Sequence, residues 1–263
     1  FQLGMLYEEL DMFDNAIDAY EFAIAIEPEY SLALYSLGIL YRTIEEFEKS
    51  NAHFQELLKT EPESAQSNIF IGKNYLDLEA PDEAMKYFEA AIALDPTFSE
   101  GWFKIGEIYF NENRFYESLL YTKKAIKYER DEPAYWYRLG ILLQILNHTP
   151  YAILAFKRVL TLEETNKKAM LHLAECYFKD KDFERTLSTC AKATELFNDS
   201  SFNFLYGATL LEVKEHEKGI NQIQLGLEKD KDAFDEFVYF YPKIISFDAV
   251  KKLVNKINKN KHQ

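Results

Sequence analysis

His172, Glu175 and Cys176 are the residues whose types and spacing come nearest to chemistry: on one helix a thiol four residues from an imidazole can touch it. A nucleophilic cysteine also needs a group to orient the base and donors for the developing oxyanion, and neither can be identified around these three. The five histidines, His53, His148, His172, His216 and His262, are scattered, and no two stand one helical turn apart with a carboxylate as a zinc site requires. Cys176 and Cys190 give no metal-ligand spacing and no disulfide framework, so both are expected to be free thiols in a reducing, cytoplasmic setting. No Gly-rich phosphate loop follows a strand and no serine sits in a nucleophile elbow. Catalysis, metal and cofactor are therefore not expected, and function must come from a surface.

The elements that would build this surface are helices. Apolar residues make up 48% of 263, enough for a sizeable core, and nine glycines and seven prolines are too few for a turn-rich β-protein. A net charge of −14 works against nucleic acid and anionic lipid as partners. No apolar run is long enough to span a membrane, and Phe1-Gln2-Leu3-Gly4 does not read as a signal sequence. Because the first residue is not methionine, the chain reads as a fragment of a longer one.

Glycine recurs at Gly4, Gly38, Gly72, Gly106 and Gly140, a step of 34 residues that Pro28, Pro62 and Pro96 share. The step continues through Ala174 and, one residue early, Gly207. Within each period the apolar residues fall at helical spacing, as in Leu37, Tyr41, Phe47, Phe54, Leu57 and Leu58, with a polar break near Glu45. Each period therefore predicts two antiparallel helices of about 13 residues, roughly 20 Å long. Pro81 and Pro150 sit at helix starts, whereas Pro62 and Pro96 follow helix ends. Small residues on the second helix, Ala16, Ser50, Ala84, Ser118 and Ala152, allow close approach to the glycines.

Trp136, Leu139, Gly140, Leu143, Ala152 and Phe156 resemble the tetratricopeptide repeat pattern, with Trp102, Ile105, Gly106 and Tyr109 repeating its first half. Gly72, Tyr75, Ala84, Phe88, Ala91 and Pro96 give its fullest second half. The resemblance implies an all-α, right-handed superhelical solenoid of about seven helix-turn-helix units over residues 1–229, with units near 1–30, 31–64, 65–98, 99–132, 133–166, 167–199 and 200–231. The sixth and seventh units carry Ala174, Cys190, Ile223, Thr186 and Gly219 at key places and are expected to be less regular. Residues 232–263 read as a degenerate capping helical pair with a basic tail: Phe234, Phe237, Tyr239, Phe240 and Tyr241 before Pro242, then Phe247, Val250, Leu253, Val254 and Ile257.

The family resemblance also implies a binding surface, the concave wall formed by the first helix of every unit. Its expected lining is Tyr35, Ile69, Phe103, Tyr137, Leu171 and Phe204; then Ile39, Lys73, Glu107, Ile141 and Glu175; and, a turn further on, Arg42, Leu76, Phe110, Gln144, Phe178 and Leu211. Lys104, Arg138 and His172 hold equivalent places in three successive units, where they can meet carboxylates or a phosphorylated segment, or simply pair with Glu100, Glu107 or Glu175. The carboxylate-clamp pattern of chaperone-binding relatives is not matched: only Lys168 agrees, beside Phe103, Glu107, Arg138 and His172. The expected function is thus a protein- or peptide-binding scaffold, with a homo-oligomer left open and no integral membrane contact. The alternative is a regulatory or targeting arm of an enzyme or sensor whose active domain lies elsewhere. Recognition of nucleic acid by helical repeats would need a basic inner face, which is absent.

Overall fold

The computed structural model describes residues 1–260, with side chains through residue 255; His262 and the last residues of the basic tail lie outside the described residues, as does the side chain of Ile257. The chain divides into two compact units, residues 1–130 and 131–263. Among the described residues there are sixteen α-helices, one short 3-10 helix and no strand.

The first unit holds four antiparallel pairs: α1 (Gln2–Glu9) with α2 (Phe13–Ile26), α3 (Ser31–Thr43) with α4 (Phe47–Thr60), α5 (Ala65–Asp77) with α6 (Pro81–Leu94), and α7 (Ser99–Asn111) with α8 (Phe115–Tyr128). The second holds three more: α9 (Pro133–Ile145) with α10 (Thr149–Leu162), α11 (Lys167–Lys179) with α12 (Phe183–Leu196), and α13 (Ser200–Glu212) with α14 (His216–Lys229). It ends in α15 (Asp232–Phe240), a 3-10 turn over Pro242–Ser246, and α16 (Asp248–Asn260).

One backbone device makes every hairpin. Asp11, Glu45, Glu79, Asn113, Asn147, Lys181 and Lys214 all have φ between 55° and 68°, the left-handed conformation that ends a helix. In the first pair Asp11 N–H donates to the Glu8 carbonyl and Met12 N–H to the Tyr7 carbonyl, satisfying two otherwise orphaned acceptors. The same bonds recur down the chain, as in Glu46 N–H to the Tyr41 carbonyl and Asp182 N–H to the Tyr177 carbonyl. None of these residues is glycine, and Glu45 is where the sequence places its polar break. The starts of the first helices are capped by side chains at Ser64, Glu132, Asn166 and Asp199.

Glycine works elsewhere, at the crossing inside each pair. A Cβ on Gly4, Gly38, Gly72 or Gly140 would come within 2.7 Å of a ring carbon of Tyr20, Phe54, Phe88 or Phe156 respectively. Each ring is fully buried and stands sixteen residues after its glycine. Twelve residues after the glycine stands the small residue, and at two of these the contact is polar: Ser50 Oγ donates to the Gly38 carbonyl and Ser118 Oγ to the Gly106 carbonyl, both at 2.7 Å. Gly106 differs, because Thr122 replaces the aromatic and a Cβ there would meet nothing nearer than 3.3 Å.

The sixth and seventh pairs are not less regular at the level of their helices, which keep the 13- and 14-residue lengths of the others. Size exchange explains the tolerance: Ala174 is partnered by the smaller Cys190, and Gly207 by Ile223, at the usual sixteen-residue offset. The missing residue comes out of the loop between α12 and α13, Phe197 to Asp199, which is one shorter than its counterparts. The cap then closes the core: Phe234, Phe237, Ile244 and Val250 are buried with Phe204, Leu205, Leu211, Ile223 and Leu227. Phe247, Leu253 and Val254 pack against this core, but Tyr239 is 91% exposed and takes no part in it.

Candidate functional site

The first helices of the two units present half-exposed side chains in rows one helical turn apart. In the first unit these include Tyr35, Ile39 and Arg42 on α3, Lys73 and Leu76 on α5, and Lys104, Glu107 and Phe110 on α7. In the second they are Tyr137, Arg138, Ile141 and Gln144 on α9, and Leu171, His172 and Glu175 on α11.

Five expected wall residues are corrected. Ile69 is 0% exposed and packs in the core with Ala84, Phe88 and Ile105, while Phe103 and Phe178 are each 8% exposed. Phe204 and Leu211, expected in the same wall, are core residues as well. Successive residues of a helix point about 100° apart, so a one-residue difference moves a side chain from the wall into the core. On α5 the aromatic at the surface is Phe70, not Ile69: its ring stacks on Phe54 at 5.2 Å and meets Tyr35 edge-on at 5.9 Å, and the Lys73 ammonium lies 5.3 Å from its centroid. Phe70 shares a row with Lys104, and that spacing was the available signal.

The charges on these faces are largely satisfied within them. Lys73 Nζ pairs with Glu100 at 2.7 Å and Lys104 Nζ with Glu107 at 2.8 Å. Arg42 pairs with Asp77 at 2.7 Å and also donates to Asn74 Oδ1. Asn74 is buried, and its Nδ2 donates to both Ser50 Oγ and Asn51 Oδ1 at 2.8 Å. A continuous polar clasp therefore runs from Asp77 through Arg42 and Asn74 to the Gly38 carbonyl, tying α3 and α4 to α5. Neither Asn74 nor Asp77 is marked by period or motif.

In the second unit His172 Nδ1 lies 2.8 Å from Glu175 Oε2, and its ring stacks on Phe156 at 5.5 Å. Gln144 reaches the same carboxylate at 3.4 Å. His172 is thus engaged by Glu175 and the rings beside it. Cys176 is fully buried and burial pushes its thiol up to about 12; Cys190 is likewise buried and its thiol raised for the same reason. A reactive thiol needs the opposite, partial exposure and a lowered pKa. Burial lowers the pKa of the His53 imidazole, against the nearby Glu21 and Glu56 carboxylates, and its ring stacks on Tyr41. Among the described residues no group of three or more metal-ligating side chains comes together, and no helix is long and apolar enough to cross a membrane.

Paired helices, glycine crossings and open rows on the first helices define a helical-repeat scaffold. A tetratricopeptide repeat model matches residues 1–30, 65–98 and 99–132, and the model for the anaphase-promoting complex, cyclosome, subunit 3, matches residues 146–224. The chain is a tetratricopeptide repeat protein, and such repeats form protein-interaction scaffolds. No curated protein matches it. Among solved structures, the C-terminal part of a repeat-containing protein from Cytophaga hutchinsonii is 16% identical with a TM-score of 0.71, over 89% of this chain and 98% of that one. YrrB, a repeat protein with an unusual peptide-binding site, is 19% identical with a TM-score of 0.64, over 68% and 93%. The Cut9–Hcn1 hetero-tetramer of the anaphase-promoting complex gives 15% and 0.57, over 81% of this chain and 42% of that one. At these identities the likeness is one of fold.

Proposed function

We propose that the chain holds an extended peptide or a partner helix on the half-exposed faces of its first helices. The observation that carries this reading is the combination, on the first helices within each unit, of partly open aromatic rings with charges that already have partners. Tyr35, Phe70 and Phe110 in the first unit, and Tyr137 in the second, keep part of their rings in water. Covering such rings contributes binding energy at low cost, because they are already ordered by their neighbours. The paired carboxylates and ammoniums beside them select register and orientation more than they add affinity. The free, buried thiols suit a reducing compartment such as the cytoplasm.

Affinity capture from native extract tests the reading with three forms of the chain: the parent, Tyr35→Ala with Phe110→Ala, and Tyr116→Ser with Leu120→Ser. The last pair, 72% and 53% exposed on α8, changes the second helices instead. The aromatic double variant is expected to lose the captured proteins while the α8 variant keeps them. The reverse pattern would move the binding surface to the second helices and overturn the reading.

A further inference from the structure

A pocket of about 670 Å³ lies wholly within the second unit, lined by Gln144, Phe178, Lys179, Lys181 and Phe183 on one side and by Glu212, Phe240, Tyr241 and Lys243 on the other. Its volume is that of a ligand-sized cleft. The floor is aromatic: the Phe178 ring meets Tyr241 edge-on at 4.9 Å and lies 5.9 Å from Phe183 and 6.3 Å from Phe240. Phe240 remains 39% exposed, so part of this apolar surface faces the opening.

The rim is cationic. Glu212 accepts from Lys243 Nζ at 2.6 Å and from the Tyr241 hydroxyl. Burial opposes its ionisation, but these hydrogen bonds outweigh burial and hold its carboxyl below the usual range, so it stays charged and is spent inside the pocket wall. Lys179 Nζ donates to Asn147 Oδ1 at 2.8 Å, a neutral partner that leaves its charge uncompensated. Lys181 sits at the left-handed corner of its hairpin and acts on Glu212 by charge, but without a hydrogen bond to it. Three ammonium groups thus line the pocket against one carboxylate, in a chain of net charge −14. Asp182 is on the same turn but caps α12 and pairs with Arg185 at 3.2 Å, and Asp180 does not line the pocket.

The sequence marks this as a departure from the repeat. At the corner occupied by Lys181 the earlier pairs have Asp11, Glu45, Glu79, Asn113 and Asn147, and at the place of Lys179 they have Glu9, Thr43, Asp77, Asn111 and Ile145. Lysine at both positions is thus absent from the preceding pairs, and it occurs where the cap supplies an aromatic wall.

We propose that this pocket docks an acidic segment of a partner protein, one that presents a bulky apolar side chain next to a carboxylate. The apolar side chain would pack among Phe178, Phe183 and Phe240, where it loses water, and the carboxylate would meet Lys179 and Lys181. The inference rests on the protein-binding reading above and shares only Gln144 with its rows; the residues changed in the two tests are different, so the two fail separately.

The test is fluorescence anisotropy on the full chain with three labelled, end-blocked pentapeptides: Ser-Asp-Phe-Glu-Ser, its neutral isostere Ser-Asn-Phe-Gln-Ser, and Ser-Asp-Ser-Glu-Ser. Saturable binding of the first is expected, with the other two about tenfold weaker or more. Lys179→Glu with Lys181→Glu, both exposed, should weaken the first peptide about tenfold at an unchanged melting temperature, and raising salt from about 50 to about 500 mM should do the same to the parent. Phe240→Ala should weaken it as well. Absence of saturable binding, equal affinity for the neutral isostere, or indifference to the double charge reversal overturns the proposal. Tyr35→Ala with Phe110→Ala should leave peptide affinity unchanged. If that variant loses its captured proteins while the peptide fails to bind, the pocket reading alone falls; if the peptide binds while the variant keeps those proteins, the reading of the helix faces alone falls.

Discussion

Gly140→Ala and Gly106→Ala insert the same methyl group into equivalent crossings and should have unlike effects. At Gly140 the new Cβ would lie 2.5 to 2.8 Å from three ring carbons of Phe156. That ring cannot withdraw easily, being fully buried with Tyr137 and His172 against it. Overpacking of this kind costs about 1–3 kcal/mol, whereas replacing a helical glycine gains about 0.5–1 kcal/mol from backbone entropy. The net expectation is a loss of roughly 0.5–2 kcal/mol. At Gly106 the nearest atoms are Thr122 Oγ1 at 3.3 Å and backbone atoms of α8 at 3.4 Å, a contact that small shifts relieve. There the entropy gain should cancel the crowding, leaving a change within about 0.5 kcal/mol. Urea unfolding followed at 222 nm measures both, with the slope checked in each variant because repeat arrays can lose cooperativity. The chain itself suggests the rescue: in the sixth pair Ala174 stands against Cys190. Gly140→Ala with Phe156→Cys should be less unstable than the sum of its single changes. A Gly140→Ala midpoint equal to the parent's, or a greater loss at Gly106, would refute the crossing argument.

Asn74→Ala should cost about 1–3 kcal/mol, since it leaves Asn51 and Arg42 without their buried partner; Asp77→Ala, at the solvated end of the clasp, should cost under about 1 kcal/mol by the same denaturation. Thr122→Val should be neutral or stabilising by up to about 1 kcal/mol in a thermal melt, because the Thr122 hydroxyl is buried with no hydrogen-bond partner among the described residues. Cys176, pushed up to about 12 by burial, and the equally buried Cys190 should react with a thiol reagent at pH 9 only after unfolding. Fast modification of the native chain would show that these sites open.

The polypeptide's own residues were enough to determine the helical pairs, their number and the crossing that joins them. A glycine, a small residue twelve positions later and a large one at sixteen meet within a single hairpin, so the pattern needs no knowledge of neighbouring pairs. The cap was legible for the same reason, as a run of apolar residues with no further glycine step. The hairpin corner was legible in position, as the polar break at Glu45, but not in conformation, because Asp, Glu, Asn and Lys adopt the left-handed region there without any type in common. Only the tertiary structure decided which aromatics face water. Ile69 and Phe70 are adjacent, and although the 34-residue step sets Phe70 in the row of Lys104, it is the packing of α5 against its neighbours that sends Ile69 into the core and leaves Phe70 half open. The clasp from Asp77 to Gly38 and the lysine-rimmed pocket against the cap likewise join residues of different helical pairs, whose meeting depends on how one pair docks on the next. Periodicity specifies the face a helix buries; the packing of its neighbours sets the angle of that face, and with it the surface left for a partner.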